Sequence, residues 1–514
     1  MLRKIRGIGR LFTPQSEHPL ADPRESRKIL GELPKDDAFR GLDEIAGWLE
    51  SVNGVDEFPA TRLFEVTQEL EKLAHPHLKR LSREYLVSVS MSRPDEKRLW
   101  SINHGFWTLL AASYERCLGA VGDHPKSGGL AKTVLPLLCS RLIGALGSML
   151  KWQQFHYGPT PDEVWRRLGL ALLAAEAAGG DGKSVPALAR GGMTSPMLEY
   201  QKVMILRVAS LDAMLPVEIE IAERFVAHFL SGFIFTRDAL PDSVYWADLA
   251  LPQPPLRLAQ MPESATPTLR FLKPGTAQSG MRALLERLEL GGELPPDIDL
   301  GQAYPAKLLV RVLRHLCTYL APIPPQRQHR RHRVLHHMSV VHGLANAFTV
   351  FSGEFSGSPA ALPVENWQVE NVSRGGFGAV IGHASGEWLQ VGALIAMQPE
   401  GGENWLLGAV RRHRREPAGN ARVGIEALAR KVATVELRPR SASSYAAAAA
   451  VHALILLDGE GTADTLVILP PLTFDLRESM EFADAGVRYL LTPVGLLEQT
   501  ADYELARYRQ SRLA

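Results

Sequence analysis

WQVENVSRGGFGAVIG, residues 367–382, decides how the second half of this chain is read. Its centre, Asn371-Val372-Ser373-Arg374-Gly375-Gly376, is polar and glycine-rich, and the runs on either side read as short strands. Moving outward, EWLQVGALIAM (387–397), NWLLGAVRR (404–412) and ARVGIEAL (421–428) have the same style, each bounded by glycine or proline. With a first strand over Val334–Val341, these segments predict an antiparallel barrel of about six strands. HALILL (452–457), DTLVILP (464–470) and VRYLLTPVGLLE (487–498) continue the pattern. They predict a small β-rich C-terminal domain over 431–514, closed by a helix such as Ala501–Arg509.

Upstream, the period changes. In the segment 62–86, Leu63, Val66, Leu70, Leu73, Leu81 and Tyr85 recur at three- and four-residue steps with charged residues between them. His75-Pro76 is expected to end or kink that helix. Further helical patterns cover 100–121, 132–152, 161–178, 196–214 and 216–235, so residues 1–250 are expected to form an irregular helical bundle. LPQPPLRLAQMPESATPT (251–268) shows neither periodicity, and 251–280 reads as a linker. Helices near 281–290 and 306–320 make 281–323 a helical connector, stopped by prolines 322, 324 and 325. The whole is an α+β multidomain chain: helical bundle, antiparallel barrel over 324–430, and β-rich C-terminal domain.

At 514 residues the chain exceeds what one core supports. Its 57 basic and 56 acidic side chains nearly cancel, so no global field points to a nucleic-acid polymer or a membrane. Cys117, Cys139 and Cys317 lie far apart and form no disulfide framework, as suits a reducing cytosol. No stretch approaches the ~18–20 uninterrupted apolar residues of a membrane span, and the basic N-terminus lacks a signal-peptide core. The expected location is the cytoplasm.

The chemistry concentrates in two places. RQHRRHR (327–333) places Arg327, Arg330, Arg331 and Arg333 in a loop before the first strand. Arginine forks pair bidentately with phosphate or with the O6/N7 edge of guanine, and each good contact is worth roughly 1–3 kcal/mol of discrimination. The turn at 371–376 adds an amide and a hydroxyl, and its glycines allow close backbone approach. A ligand with both phosphates and guanines would use all of these groups. A second cluster, Arg411–Arg415, falls at a predicted hairpin and reads as solvent-facing, with Arg411 or Arg412 within range of a ligand phosphate. The histidines at 329, 332, 336, 337 and 342 lack metal-site spacing, and no metal is expected. No G-x-S-x-G elbow, phosphate loop or base–nucleophile pairing occurs, so an enzyme is not expected.

Arg327-x-x-x-Arg331 followed by Asn371-x-Ser373-x-x-Gly376 resembles the paired motifs of the PilZ family, and RVGIEALA resembles that family's closing strand. The resemblance covers about a fifth of the chain. It implies a barrel that binds the bacterial second messenger cyclic di-GMP, with Arg327 and Arg331 on phosphate and guanine. Asn371 and Ser373 would hold a second guanine edge, and Gly376 would keep the turn open. Gln326 stands where members that take two stacked ligands often carry another arginine, and Arg330 is the candidate substitute. The family implies a switch in which ligand pins the arginine loop and the helical region relays the signal to a protein partner. The gap between the motifs predicts an inserted helix or long loop over 343–363 that caps or obstructs the site. If it obstructs, the alternative is a ligand-independent adaptor on a degenerate barrel.

Overall fold

Helix starts in the first part of the chain are chemically marked. Asp22 accepts from the backbone N–H groups of Arg24 (2.6 Å) and Glu25 (3.2 Å), with Pro23 in the first turn. Ser195 accepts from Leu198 N–H ahead of Pro196 in the same manner. Both satisfy donors that a helix N-terminus leaves open. The computed structural model describes residues 18–513 apart from 57, 88–90, 123–127, 188–191, 324, 326–328, 354–361, 383–387, 441–449 and 459–463. Its helices before the barrels are α1 (Pro23–Glu32), α2 (Ala38–Asn53), α3 (Ala60–Val87), α4 (Arg93–Gly122), α5 (Gly128–Phe155), α6 (Glu163–Ala177), α7 (Pro196–Val208), α8 (Pro216–Phe229), α9 (Ala277–Glu289) and α10 (Ala306–Tyr319).

The chain divides into two units, one of residues 1–156, 160–211 and 216–325, the other of 157–159, 212–215 and 326–514. In the first unit the expected stripe of α3 is largely buried: Leu63, Val66, Leu70, Leu81 and Tyr85 lie in the core and Leu73 is half-buried. The helix does not end at His75-Pro76 but runs through Pro76 to Val87. Ala74, His77 and Leu78 are buried around that point, so packing offsets the hydrogen bond that proline cannot donate. Buried ion pairs tie the helices together. Glu71 of α3 meets Arg141 of α5 (2.7 Å) and the Tyr114 hydroxyl of α4, and Lys151 of α5 bridges Glu220 (2.8 Å) and Glu223 (2.7 Å) of α8. The segment Val134–Phe155 is long and apolar enough to cross a membrane by length and composition alone, yet two-thirds of its most apolar window is buried inside this unit.

Residues 251–280, read as a linker, contribute structure. Strands β3 (Ile234–Thr236), β4 (Tyr245–Asp248), β5 (Leu256–Arg257) and β6 (Leu269–Lys273) form one sheet in the order β3-β6-β4-β5. A two-stranded hairpin, β1 (Val185–Pro186) with β2 (Met193–Thr194), precedes it.

The second unit carries two closed antiparallel barrels. The first holds β7 (His332–His342), β8 (Glu365–Ser373), β9 (Gly376–Ile381), β10 (Leu394–Pro399), β11 (Leu406–Arg415) and β12 (Ala421–Ala429). The other holds β13 (Val432–Pro439), β14 (Val451–Leu456), β15 (Asp464–Leu469), β16 (Met480–Asp484), β17 (Val487–Gln499) and β18 (Glu504–Arg512). Counting strands within each barrel, both close in the same order, 1-2-3-6-5-4. The C-terminal region is therefore a second barrel of the same topology. The expected helix at Ala501–Arg509 does not form: Glu504–Arg512 is strand β18, with Glu504, Ala506 and Tyr508 buried on alternate positions. Pairing with β15 and β17 overrides the helical leaning of Glu, Leu, Ala and Arg there.

Each barrel has its own interior, built around Trp367, Val410 and Ile425 in one and Leu437, Leu491 and Tyr508 in the other. A third cluster joins them. It unites Leu394, Ala396 and Leu407 of the first barrel with Leu454, Leu456 and Ile468 of the second. Helix α11 (Leu344–Ser352) supplies Ala347 and Val350 to this seam, and its Phe348 ring stacks on His452 at 4.4 Å. Replacing the fully buried Leu454 by alanine is expected to destabilise the barrel pair by about 2–5 kcal/mol. A urea midpoint unchanged by Leu454→Ala would show that the seam contributes little.

Candidate functional site

Side chains on a strand alternate between the two faces, so a barrel wall offers outward positions at every second residue. An extra residue in one strand reverses that phase beyond it. Two such bulges shape one end of the first barrel. On β8 the register steps from Val369↔Ala379 to Asn371↔Gly378, leaving Glu370 as the extra residue. On β11 it steps from Val410↔Ile425 to Arg412↔Gly424, leaving Arg411 as the extra residue. Val369 and Val410 face the barrel interior. The bulges turn Asn371 and Arg412 to the outer face.

The pairings then line up one row across four sheet ladders. Arg333 of β7 stands opposite Asn371, Asn371 opposite Gly378, Gly378 opposite Gly424, and Gly424 opposite Arg412. The middle of the row is bare backbone. A Cβ on Gly378 would lie 2.6 Å from Asn371 Nδ2, and one on Gly424 would lie 3.3 Å from Arg412 Cβ. The flanks are polar and cationic. Asn371 is half-buried, and its Oδ1 is buried without a hydrogen-bond partner. A buried acceptor left open in this way costs free energy until a donor reaches it.

The turn beside the row is held from inside. Ser373 Oγ donates to the Gly376 carbonyl at 3.3 Å, and Ala427 N–H donates to the Gly375 carbonyl at 3.1 Å. Gly376 is buried at φ +157°, where a Cβ would overlap the Ile425 carbonyl oxygen. Glycine is needed here because β9 and β12 approach too closely for any side chain.

Of the residues singled out in sequence, Asn371, Ser373 and Gly376 share this end of the barrel. Arg330 and Arg331 are exposed and directly precede β7, whose first residues pair with the turn strand as His332↔Val372 and Arg333↔Asn371. His329 comes close to the turn as well: a Cβ on Gly375 would stand 3.4 Å from His329 Cδ2. The loop therefore reaches the turn through its described residues, and Arg327 lies outside them. Helix α11, the described part of the 343–363 insertion, follows the opposite end of β7 and packs in the seam between the barrels.

Sequence reasoning missed the glycine row and the role of Arg411. Arg412, Arg414 and Arg415 are exposed as expected, but His413 is buried and Arg411 is half-buried. Arg411 Nε donates to Glu426 at 2.6 Å, and its two terminal nitrogens grip both carboxylate oxygens of Glu498 on β17. Burial works against the Arg411 charge, but the hydrogen bonds and charge of Glu498 outweigh it and raise its pKa above the ordinary arginine value. Arg422 is engaged by Glu416 and by Glu370 at 2.8 Å. Among the described residues no histidine, cysteine and carboxylate group is arranged to hold a metal.

The outer face thus combines two glycines overlain by the Asn371 amide and the Arg412 stem, a buried acceptor without a hydrogen-bond partner and exposed guanidinium groups. It suits a planar ring with N–H donors joined to phosphate. Residues 24–238, all upstream of the barrels, match the family model described as the N-terminal domain of the cyclic-di-GMP receptor FimW. No curated protein matches the chain. Gly376→Ala is expected to cost about 1–3 kcal/mol by forcing β9 and β12 apart, while Gly375→Ala, which meets only His329, should stay within about 0.5 kcal/mol. Equal denaturation midpoints for the two variants would contradict the close approach at Gly376.

Proposed function

We propose that this protein is a cyclic di-GMP receptor of PilZ type, acting in the cytoplasm by binding and not by catalysis. The observation that carries the reading is the row Arg333–Asn371–Gly378–Gly424–Arg412, with the unpaired Asn371 acceptor over Gly378. Guanine presents N1–H and N2–H donors on one edge and O6/N7 acceptors on another. Asn371 Oδ1 takes the first, and an arginine fork takes the second. A purine on the row would stack against the Asn371 amide and the Arg412 stem, which lie over Gly378 and Gly424 where other residues would raise a Cβ. The phosphates fall to Arg327, Arg330 and Arg331, with Ser373 keeping the turn in shape as well as offering its hydroxyl.

Support comes from a separate part of the chain as well. The match over 24–238 is to a domain of a receptor for the same nucleotide, and it includes none of the barrel residues. The alternative of a ligand-independent adaptor needed the 343–363 insertion to fill the site. The packing of α11 in the seam favours the receptor. The residues between α10 and β7 join the helical segment to the barrel, so pinning them on ligand is the route by which occupancy reaches a protein partner.

Calorimetric titration tests this. Wild type is expected to bind cyclic di-GMP at micromolar or lower concentration, and Arg331→Ala and Asn371→Ala should each weaken binding about tenfold or more. No heat of binding with the folded wild type would end the receptor reading. If both variants bound as tightly as wild type, the nucleotide would sit elsewhere. The relay has its own check: small-angle scattering should change on saturation with nucleotide, and an unchanged profile would remove the relay while leaving the receptor.

A further inference from the structure

We infer that the second barrel is a working part of the nucleotide site, and that Glu498 is a positioning residue for ligand binding by the first barrel. The inference rests on the reading of the outer face as a cyclic di-GMP site. The second barrel repeats the strand order of the first. Its strand-2 to strand-3 connection, LDGEGTA (457–463), carries no Asn-x-Ser-x-x-Gly motif, so it offers no second copy of that turn. What it offers is a fixed carboxylate at the point where the first barrel needs one.

That point is the bulge at Arg411. Without the extra residue, alternation from the inward Val410 would turn Arg412 into the interior and His413 outward. The observed register does the opposite, placing Arg412 beside Gly424 on the outer face and burying His413. The extra residue is held by its side chain. Arg411 forks onto both oxygens of Glu498 from the second barrel and also reaches Glu426 on β12. A bidentate pair of this kind fixes orientation as well as distance.

Glu498 is itself positioned. It follows a register shift on β17 between Leu496 and Glu498. The tip joining β17 to β18 is pinned to the first barrel by Asp502, which accepts from Leu394 N–H at 3.1 Å. Asp458 accepts from Arg430 N–H (2.6 Å) and Lys431 N–H (2.8 Å) where the two barrels join. The carboxylate thus sits on a strand of a barrel that is hydrogen-bonded to the first at both of these points. Removing it leaves a half-buried guanidinium without its main partner and frees the bulge to relax, and Arg412 loses its direction.

A double-mutant cycle on the full chain tests the inference, with cyclic di-GMP as the probe. Glu498→Ala is expected to weaken binding about tenfold in wild type, and by less than about twofold when Arg412→Ala is already present. That non-additivity marks action through Arg412, which a general loss of structure would not give. Unchanged affinity in Glu498→Ala, or losses that multiply across the cycle, would overturn the positioning role while leaving the receptor reading intact. If Glu498→Ala loses its cooperative melt, the isosteric Glu498→Gln takes its place in the same cycle with the same expected pattern. Failure of wild type to bind the nucleotide would instead remove the receptor reading, and this inference with it.

Discussion

The phase of alternation along β8 and β11 is the constraint on which the candidate site depends. A closed barrel buries one face of every strand, so the direction of each side chain is settled by register alone. Val369 and Val410 are locked into the interior. Two residues further on, Asn371 and Arg412 would be locked inward too if each strand continued without a bulge. Burying that amide and that guanidinium inside an apolar barrel would cost several kcal/mol. The extra residues Glu370 and Arg411 turn both groups to the outside, and both extra residues are themselves ion-paired, Glu370 with Arg422 and Arg411 with Glu498 and Glu426. The site is an outward face made from strand positions that an unbroken sheet would have hidden.

The glycines complete that face. Gly378 and Gly424 lie side by side between Asn371 and Arg412, and Gly376 lies where β9 meets the Ile425 carbonyl. Side chains at the first two would stand between the flanking polar groups, and one at the third would part the strands. Glycine in strand interiors normally weakens a sheet. Here the surrounding barrel, with Trp367 and its neighbours fully enclosed, supplies the packing that the glycines lack.

How much of this was legible in sequence follows from what marks each feature chemically. The turn at 371–376 announces itself by composition, and the stripe Leu63–Tyr85 by its period. The architecture of helices followed by strands was readable for the same reason. A bulge has no such mark. Arg411 looks identical to Arg412 in the run RRHRR, and only the register on β12 separates the one that bonds Glu498 from the one that faces outward. The strand at Glu504–Arg512 was hidden by helix-favouring residues whose real period is two. Pro76 does not stop its helix, because a helix with a buried face on both sides of a proline can continue through it. The insertion at 343–363 could be located but not placed. Its helix finds a home only once a second barrel exists to make a seam.

Charge around the row is local and largely paired. The chain carries a net formal charge of only +1, and several arginines near the row are already neutralised by carboxylates: Arg411 by Glu426 and Glu498, Arg422 by Glu370 and Glu416. A nucleic acid is gripped by a long stripe of uncommitted cations that displaces many counterions. Exposed Arg330, Arg333 and Arg374 instead cluster around one turn, next to the unpaired buried acceptor of Asn371. The paired arginines tie the wall to its neighbouring strands.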